Sequence, residues 1–352
     1  MKAAPDKPLT RPQHLADAGL IPGDRVAALD SVTARFGMAV TPGMASLINP
    51  DDPADPIARQ FVPDGAELRE DPHDVSDPIG DSTHSPVPGI VHRYPDRVLL
   101  LPVRVCPVYC RFCFRRETIG SNEPEVLGDA ALNTALGYIR DNTAVWEVIL
   151  SGGDPFILSP RRLQHIVAEL NSMDHVKVIR VHTRVPVVDP SRISDELITV
   201  FAESHKPVYV VLHTNHVREL TQPALDACKK LAAAGISLLS QSVLLRGVND
   251  DAATLEALFR ELVANGIKPY YLHHADRAPG TAHFRTSITR GQQLMRELRG
   301  RLSGLCLPEY VLDIPGGHGK TPLEADWVHR DTAGLKVMDY QGARHDYDEE
   351  NE

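Results

Sequence analysis

Short apolar runs, rich in Val, Ile and Leu, recur along the chain from Arg97 onward and alternate with stretches of helical character. The runs are Val98–Val103, Glu147–Leu150, Lys177–Val181, Val208–Leu212, Ile236–Leu239, Pro269–Leu272 and Tyr310–Leu312. The helical stretches are Leu127–Asn142, Arg161–Ser172, Asp195–Glu203, Thr221–Ala234, Ala253–Ala264 and Thr289–Leu302. This alternation predicts a parallel sheet with helices outside it. About 220 residues for six or seven strand–helix units fits a closed or partial (β/α) barrel.

Polar residues follow the apolar runs at matching positions. They are Cys106, Ser151–Asp154, His182–Arg184, His213–Asn215, Gln241–Ser242, His273–Asp276 and Asp313. In a parallel barrel these positions meet at the C-terminal mouth, where such folds keep their active sites. One polar strand end would be unremarkable, but seven in register favour a cavity lined by polar groups.

The two ends of the chain have a different composition. Residues 1–90 are rich in Pro, Asp and Gly, with helix-like pieces at Ser31–Arg35 and Met44–Ile48, and predict an irregular helical arm that packs on the main domain. Residues 91–323 form the predicted barrel, and residues 324–352 a C-terminal extension. Its end, Asp346–Glu352, is typical of a solvated acidic tail.

Composition narrows the class of protein. The chain has 352 residues, of which 42% are hydrophobic and 24% charged, enough to bury a full core. A net charge of −10 provides no excess of basic residues to bind phosphate backbones, which argues against a nucleic-acid substrate. We find neither a signal peptide nor a run long enough to span a membrane. The five cysteines are odd in number and three are crowded together, which indicates a reducing compartment. We therefore expect a soluble cytoplasmic protein.

The three crowded cysteines, Cys106, Cys110 and Cys113, are the strongest chemical signal. A structural zinc site takes four ligands, and no fourth Cys or His follows at a usual spacing. An iron–sulfur cube held by three thiolates leaves one iron without a protein ligand. The alternative is three buried or zinc-bound cysteines that cluster by chance.

The spacing of these cysteines and two further motifs point to specific chemistry. The C-x3-C-x2-C spacing, with Phe112 before the last cysteine, resembles the signature of radical S-adenosylmethionine (SAM) enzymes. The turn Ser151-Gly152-Gly153-Asp154 resembles the motif that holds the methionine end of SAM in that superfamily. Pro315–Thr321 is not a phosphate loop, because Ile314 stands where the Walker pattern needs glycine. It leaves Lys320 on a glycine-rich turn, where a lysine can form a Schiff base with pyridoxal phosphate (PLP) or simply be exposed.

Taken together, longer segments resemble the lysine 2,3-aminomutase family from about Ile48 to Leu323. They are His92–Arg97, the cysteine loop, Ser151–Asp154, Gln241–Asp250, Tyr270–Tyr271, His283–Thr286 and Val311–Pro322. The resemblance implies an α/β fold with a partial (β/α)6 barrel, a [4Fe–4S] cluster, SAM and PLP. It also implies a small-molecule amino acid substrate, L-lysine, converted to β-lysine.

The resemblance implies a role for each matching residue. Lys320 would be the Schiff-base lysine, and Cys106, Cys110 and Cys113 the cluster ligands. Arg93 and Arg97 would hold the PLP phosphate, with Tyr94 beside the ring. Ser151, Gly152, Gly153, Asp154, His213 and Gln241 would face SAM. Arg115 would pair with the substrate α-carboxylate, while Asp276 and Asp313 receive the distal ammonium. Glutamate aminomutases resemble the chain but lack this acidic pair.

Several alternatives stay open. The chain has no cysteine beyond Cys306, so it lacks the C-terminal zinc-binding cysteines of clostridial relatives. In this it is similar to shorter relatives that make (R)-β-lysine for elongation factor P. A radical SAM enzyme acting on another amino acid or on RNA is a second hypothesis. A non-catalytic iron–sulfur or zinc protein that binds a partner is a third. The family also implies a reductant such as flavodoxin or ferredoxin, and we expect a homo-oligomer without nucleic acid or membrane partners.

Overall fold

A nine-stranded sheet forms the centre of the computed structural model, which describes residues 5–119, 125–324, 327–331, 334–339 and 341–347. Its strands are β1 (Ile90–Tyr94), β2 (Arg97–Val103), β3 (Glu147–Gly152), β4 (Val178–Thr183), β5 (Val208–His213), β6 (Ser237–Leu244), β7 (Lys268–His274), β8 (Glu309–Asp313) and β9 (Lys320–Pro322). Neighbours in the chain are neighbours in the sheet. Strands β2 to β8 run parallel, and β1 and β9 are antiparallel edges, so the described sheet is an open, partial barrel.

Helices connect the parallel strands, as the alternation predicts. The helices of the barrel are α5 (Asp129–Asp141), α6 (Pro160–Asn171), α7 (Val185–Val188), α8 (Asp195–Ala202), α9 (Gln222–Ala233), α10 (Ala252–Ala264) and α11 (Ile288–Arg299). Those of the arm are α1 (Pro12–Asp17), α2 (Val26–Phe36), α3 (Pro42–Leu47) and α4 (Pro56–Phe61). Each predicted apolar run coincides with a strand to within one residue at its start, which confirms the predicted fold class. Among the described residues, every helix falls short of the length and hydropathy needed to cross a lipid bilayer.

Helix α6 shows why these segments fold as they do. Its buried residues, Leu163, Ile166, Val167 and Leu170, recur three and four positions apart, so one face of the helix packs against the sheet. The Oγ of Ser159 accepts a hydrogen bond from the backbone N–H of Arg162 and caps the first turn. The cap fixes where the helix begins, and the spacing of the apolar residues fixes which side of the helix is buried.

The arm is ordered and packs on the barrel. Its helix α2 buries Leu29, Val32 and Phe36. The backbone N–H of Tyr109 donates to the carbonyl of Ala39 (2.9 Å), and that of Arg111 to the carbonyl of Gln60 (2.9 Å). The arm therefore contacts the cysteine loop directly. The division of the chain at residues 90 and 323 stays a prediction.

The structure differs from the predicted elements at several places. Gln241 lies inside β6 and not beyond its end. The edge strands β1 and β9 were not expected. The C-terminal extension contains an antiparallel sheet of β10 (Val328–Asp331), β11 (Gly334–Met338) and β12 (Arg344–Tyr347). The predicted tail therefore begins inside a strand, although Asp346 and Tyr347 are exposed; its residues 348–352 lie outside the described ranges.

Candidate active site at the barrel mouth

The three cysteines of the loop after β2 face one small cavity. Cys106, Cys110 and Cys113 line a space of about 40 Å³ together with Phe36 of the arm and Tyr109. Burial raises the pKa of all three thiols, that of Cys113 to about 11, and the negative charge of one cysteine raises the pKa of another. The thiols are therefore close together and only partly exposed to water. No group of His, Cys, Asp or Glu side chains among the described residues is arranged to hold a single metal ion.

Buried ion pairs fix the loop that carries these thiols. The carboxylate of Glu67, in the arm, accepts from Arg111 Nε at 3.0 Å and Nη2 at 2.5 Å. Arg116 also donates to Glu67, and its second nitrogen, Nη1, donates to the carbonyl of Arg111 at 2.8 Å. Because all three side chains are buried, loss of one partner would leave an unpaired charge inside the protein. Sequence analysis did not find this clamp, since its two halves are more than 40 positions apart.

The glycine turn after β3 is packed against the start of the cysteine loop. A Cβ on Gly152, whose φ is +105°, would lie 2.4 Å from the carbonyl oxygen of Val103, and one on Gly153 would lie 2.2 Å from that of Val105. Only glycine fits at these two positions. The carboxylate of Asp154 accepts from Thr183 Oγ1 at 2.7 Å and from the backbone N–H of Arg184 at 2.7 Å. Asp154 thus stabilises the turn. Because its carboxylate is already hydrogen-bonded to Thr183 and Arg184, a ligand would contact the backbone of the turn.

Two imidazoles inside the barrel have a free polar atom. The Nε2 atoms of His182 and His213 are buried and have no hydrogen-bond partner among the described residues. Burial lowers the pKa of both rings well below the usual range, so both are neutral at pH 7. In the sheet register His213 lies opposite Gln241, and Gln241 lies opposite Tyr271. Buried unpaired polar atoms are costly, and their presence here fits a cavity built to receive a polar ligand.

Lys320 lies at the start of the edge strand β9, directly opposite Asp313 at the end of β8. Its Nζ donates to Asp313 Oδ1 at 2.7 Å, and its backbone N–H donates to the hydroxyl of Tyr94 at 2.7 Å. Gly319, at φ +91°, passes so close that a Cβ would lie 2.9 Å from the same hydroxyl. These two hydrogen bonds hold Lys320 at its backbone and at its ammonium. The side chain is still 30% exposed and faces open space.

The two acids of the predicted substrate site have opposite protonation behaviour. Burial would raise the pKa of Asp313, but hydrogen bonds and positive charge from His273 and Lys320 hold it well below the usual range. For Asp276, burial and the nearby negative charge of Asp313 raise the pKa to about 7. One acid of the pair is ionised at neutral pH and the other is poised to gain or lose a proton.

Two of the three predicted anion-binding arginines, Arg93 and Arg115, meet at the carboxylate of Asp81 in the arm. Arg115 Nε donates to Asp81 Oδ2 at 2.9 Å, and Arg93 Nη2 donates to Asp81 Oδ1 at 3.1 Å. Arg97 pairs with Asp96 at 2.7 Å and its guanidinium stacks 3.7 Å from the ring of Tyr94. Arg93 Nη1 also lies 3.8 Å from Asp313 Oδ1, so ion pairs run without a break from Arg115 to Lys320.

Four of the predicted residues lie together in one network of ion pairs: Arg93, Arg115, Asp313 and Lys320. Arg97 lies apart from them in the sheet register, opposite Glu147 at the start of β3. His182 and His273 lie at the ends of β4 and β7, and Arg184 directly follows β4; the sequence predicted these three only as polar strand-end residues, without a role. The sequence did not single out Asp81, which pairs with Arg93 and Arg115. Asp81 lies in the irregular arm, where no periodic pattern marks it.

Comparisons with known proteins agree with this geometry. The open parallel sheet and the three-cysteine loop define a radical SAM protein, and a family model described as the Radical SAM superfamily matches residues 100–258. The chain is 43% identical over 291 residues to the L-lysine 2,3-aminomutase of Clostridium subterminale, covering 83% of this chain and 70% of that protein. It is 41% identical over 313 residues to the L-lysine 2,3-aminomutase of Acetoanaerobium sticklandii, covering 89% and 75%. The chain belongs to the lysine 2,3-aminomutase family.

A solved structure of a radical SAM methyltransferase from Sphaerobacter thermophilus is also similar, with 23% identity and a TM-score of 0.45 over 63% of this chain and 68% of that one. Radical SAM proteins use a [4Fe–4S] cluster and SAM, and the lysine 2,3-aminomutase family uses PLP as well. The residues present fit all three groups. The thiols share a cavity, the interior has unpaired imidazole nitrogens, and Lys320 shares the carboxylate of Asp313 with Arg93.

Proposed function

We propose that this protein is an L-lysine 2,3-aminomutase that interconverts L-lysine and β-lysine. One observation supports the substrate directly: the ammonium of Lys320 is bound to Asp313 at 2.7 Å. The distal end of free lysine is the same primary ammonium on an alkyl chain. The site therefore already accepts the group that it would have to recognise in the substrate, and the relatives named L-lysine 2,3-aminomutase give the same substrate class.

When bound, the cluster and SAM supply one-electron hydrogen abstraction, and PLP supplies the conjugated system through which an amino group can migrate. Cys106, Cys110 and Cys113 would hold the cluster, and the turn Ser151–Asp154, His213 and Gln241 would face SAM. Lys320 would hold PLP through Nζ, while Arg93 and Arg97 would bind its phosphate beside Tyr94.

The chain's own residues then bind and orient lysine. Arg115 has the planar fork of donors that suits a carboxylate, and it would bind the α-carboxylate of the substrate. Once Lys320 Nζ leaves Asp313, that carboxylate can accept the substrate's distal ammonium together with Asp276. Holding lysine at both ends fixes which hydrogen atom faces the abstracting group.

Charge selects against acidic amino acids. A glutamate side chain would bring a third carboxylate to Asp276 and Asp313 in a cavity of low dielectric, where like charges repel strongly. Lysine neutralises the ionised acid and lets Asp276 lose its proton at little cost. We therefore expect the site to discriminate by repulsion as well as by attraction.

An anaerobic assay tests the function. Enzyme reconstituted with iron and sulfide is incubated with L-lysine, SAM, PLP and a reductant, and the product is analysed for β-lysine. The variant K320A should lose both turnover and the PLP absorbance band. Lys268→Ala, which removes an ammonium bonded to the carbonyl of Leu305 at 2.8 Å far from the mouth, should keep both. Turnover of glutamate in place of lysine, or a normal PLP band in K320A, would contradict the proposal.

We also propose that a flavodoxin or ferredoxin supplies the electron, that the enzyme works in the cytoplasm and that it forms a homo-oligomer. All five cysteines are free thiols, which supports a reducing compartment. Electron transfer from each purified carrier to the cluster, and the mass of the enzyme in solution, test the first and last points.

A further inference from the structure

A buried arginine contacts one of the three thiols. Arg184 follows β4 and is 5% exposed. Its Nη1 lies 3.0 Å from the Sγ of Cys110, with the geometry of a donated hydrogen bond. The contact joins residues 74 positions apart, so it results from the fold and not from the local loop.

The guanidinium cannot move away from this sulfur, because the rest of it is held on several sides. Nη2 donates to Gln60 Oε1 at 2.7 Å and to Glu219 Oε2 at 2.5 Å. The ring of Phe61 lies 4.7 Å below the guanidinium carbon. The backbone N–H of Arg184 is bound to Asp154. The arm, the glycine turn and the strand ends therefore all fix one cation against one thiol.

Glu219 makes this arrangement rigid. It is fully buried and accepts hydrogen bonds from the backbone N–H groups of Asn215 (3.0 Å) and His216 (2.9 Å) and from Gln60 Nε2 (3.0 Å). A buried acid with that many fixed donors is held in one place. Arg184 is thus a preorganised cation, with one nitrogen on the acid and the other on Cys110.

We propose that Arg184 is a positioning residue that holds Cys110 toward the iron–sulfur cluster and raises the cluster's reduction potential. Reduction adds one electron, and its negative charge spreads over the cluster's sulfurs. A hydrogen bond and a positive charge at a ligand sulfur stabilise that reduced state. Low dielectric strengthens the effect, since Arg184 is buried and Cys110 is only partly exposed. This inference rests on the proposed cluster ligands and does not depend on lysine as the substrate.

The experiment is a redox titration of the reconstituted protein, followed by EPR with dithionite as reductant and without SAM. R184K keeps the charge, R184Q keeps a neutral donor, and R184M removes both. The double variant R184M/E219Q removes the acid that R184M would leave unpaired. R180M is the matched control, because Arg180 is a buried arginine in β4, four positions before Arg184, and pairs with Glu147 at 2.9 Å. Iron content and the thermal melt are measured for each.

We expect the midpoint potential to shift to more negative values in the order R184K, R184Q, R184M. The double variant also loses the negative charge of Glu219, which acts on Cys110, so its potential should lie between those of R184M and the wild type. R180M should match the wild type. Iron lost from R184M/E219Q with an unchanged thermal melt would support the positioning role. Full iron content with an unchanged potential in R184M/E219Q would overturn the proposal while leaving the proposed function intact. A wild-type protein without a cluster would overturn both.

Discussion

Asp276 should control how lysine turnover depends on pH. Its pKa is raised to about 7 by burial and by the negative charge of Asp313, against the opposing positive charges of Lys320 and Arg115. Below pH 7 Asp276 is mostly protonated, so the acidic pair carries one negative charge, which Lys320 neutralises. To receive a substrate ammonium as an ion pair, Asp276 must first lose that proton.

The size of the effect follows from the pKa. For a group with a pKa of about 7, about one molecule in eleven is ionised at pH 6 and about ten in eleven at pH 8. Asp276→Asn removes the ionisable group and keeps the shape. A hydrogen bond to a charged group contributes roughly 1.5–3 kcal/mol, so kcat/KM for lysine should fall about 10- to 150-fold at pH 8. The loss at pH 6 should be about tenfold smaller.

The assay compares kcat/KM of the wild type with that of Asp276→Asn between pH 6 and pH 8, with SAM and PLP saturating. The ratio of wild-type to variant kcat/KM at each pH cancels the titration of lysine and of the cofactors. This ratio should rise about tenfold from pH 6 to pH 8. Asp71→Asn is the control, since that partly exposed acid pairs with Arg285 at 3.5 Å, away from the substrate site. A ratio that stays constant from pH 6 to pH 8 would refute the assignment.

Three further changes test the rest of the mouth. Asp313→Ala should abolish lysine turnover while reduced enzyme still cleaves SAM, measured as 5′-deoxyadenosine; loss of both activities together would count against a substrate-binding role. Asp81→Asn removes the negative charge that holds the guanidinium groups of Arg93 and Arg115, so KM for lysine and Kd for PLP should rise together by roughly tenfold, the effect of about 1.4 kcal/mol. Asp81→Glu should restore both constants. A change in only one of them would contradict a shared role for Asp81. Gly80→Ala places a Cβ 2.7 Å from the backbone of Gly317 at a φ of +67°, so it should weaken PLP binding and lower Tm. Gly235→Ala is the control, because Gly235 has a φ of +82° but open space around it, and its effects should be smaller. Equal effects of the two variants would show that the close approach of Gly80 and Gly317 is unimportant.

The central parallel strands β3, β4 and β5 could be predicted from sequence because they are buried on both faces and are rich in apolar residues. Strand β6 shows where this fails. The prediction stops at Leu239, but the strand continues to Leu244 through Ser240, Gln241 and Ser242. Gln241 is only partly buried and lies level with His213 of β5. A strand that lines a polar site loses its apolar signal where it approaches the chemistry.

Edge elements were missed for a related reason. Strand β9 has three residues, Lys320–Pro322, and is paired along one side, and β1 contains His92 and Arg93. Short edge strands carry charged residues and proline, which are disfavoured inside sheets. The strands of the C-terminal extension are partly exposed where their side chains are described, so no core face produced a pattern. In each case the strand is defined by pairing with its neighbour along the chain and not by an apolar pattern of its own.

The candidate site could be predicted where strand register brings residues together, and could not where the arm supplies them. Asp313 and Lys320 are linked by a hairpin, and the strand-end rule places Asp276 near them. Asp81 contacts Arg115 across 34 positions and follows no element of the barrel. Sequence spacing contains no information about such a contact, because the arm has neither strand nor helix periodicity around Asp81.

Ion pairs within the site explain how it can be both charged and buried. Lys320 pairs with Asp313, Arg115 with Asp81, and Arg93 with both acids. Because each charge has a partner, the folded protein avoids the cost of isolated buried charges. Binding of lysine would then add its carboxylate to Arg115, which Asp81 keeps in place, and would exchange its ammonium for that of Lys320 at Asp313. An amino acid without a distal cation could not make that exchange and would leave Asp313 without an ammonium partner. Selectivity for a doubly charged substrate therefore follows from the way the empty site neutralises itself.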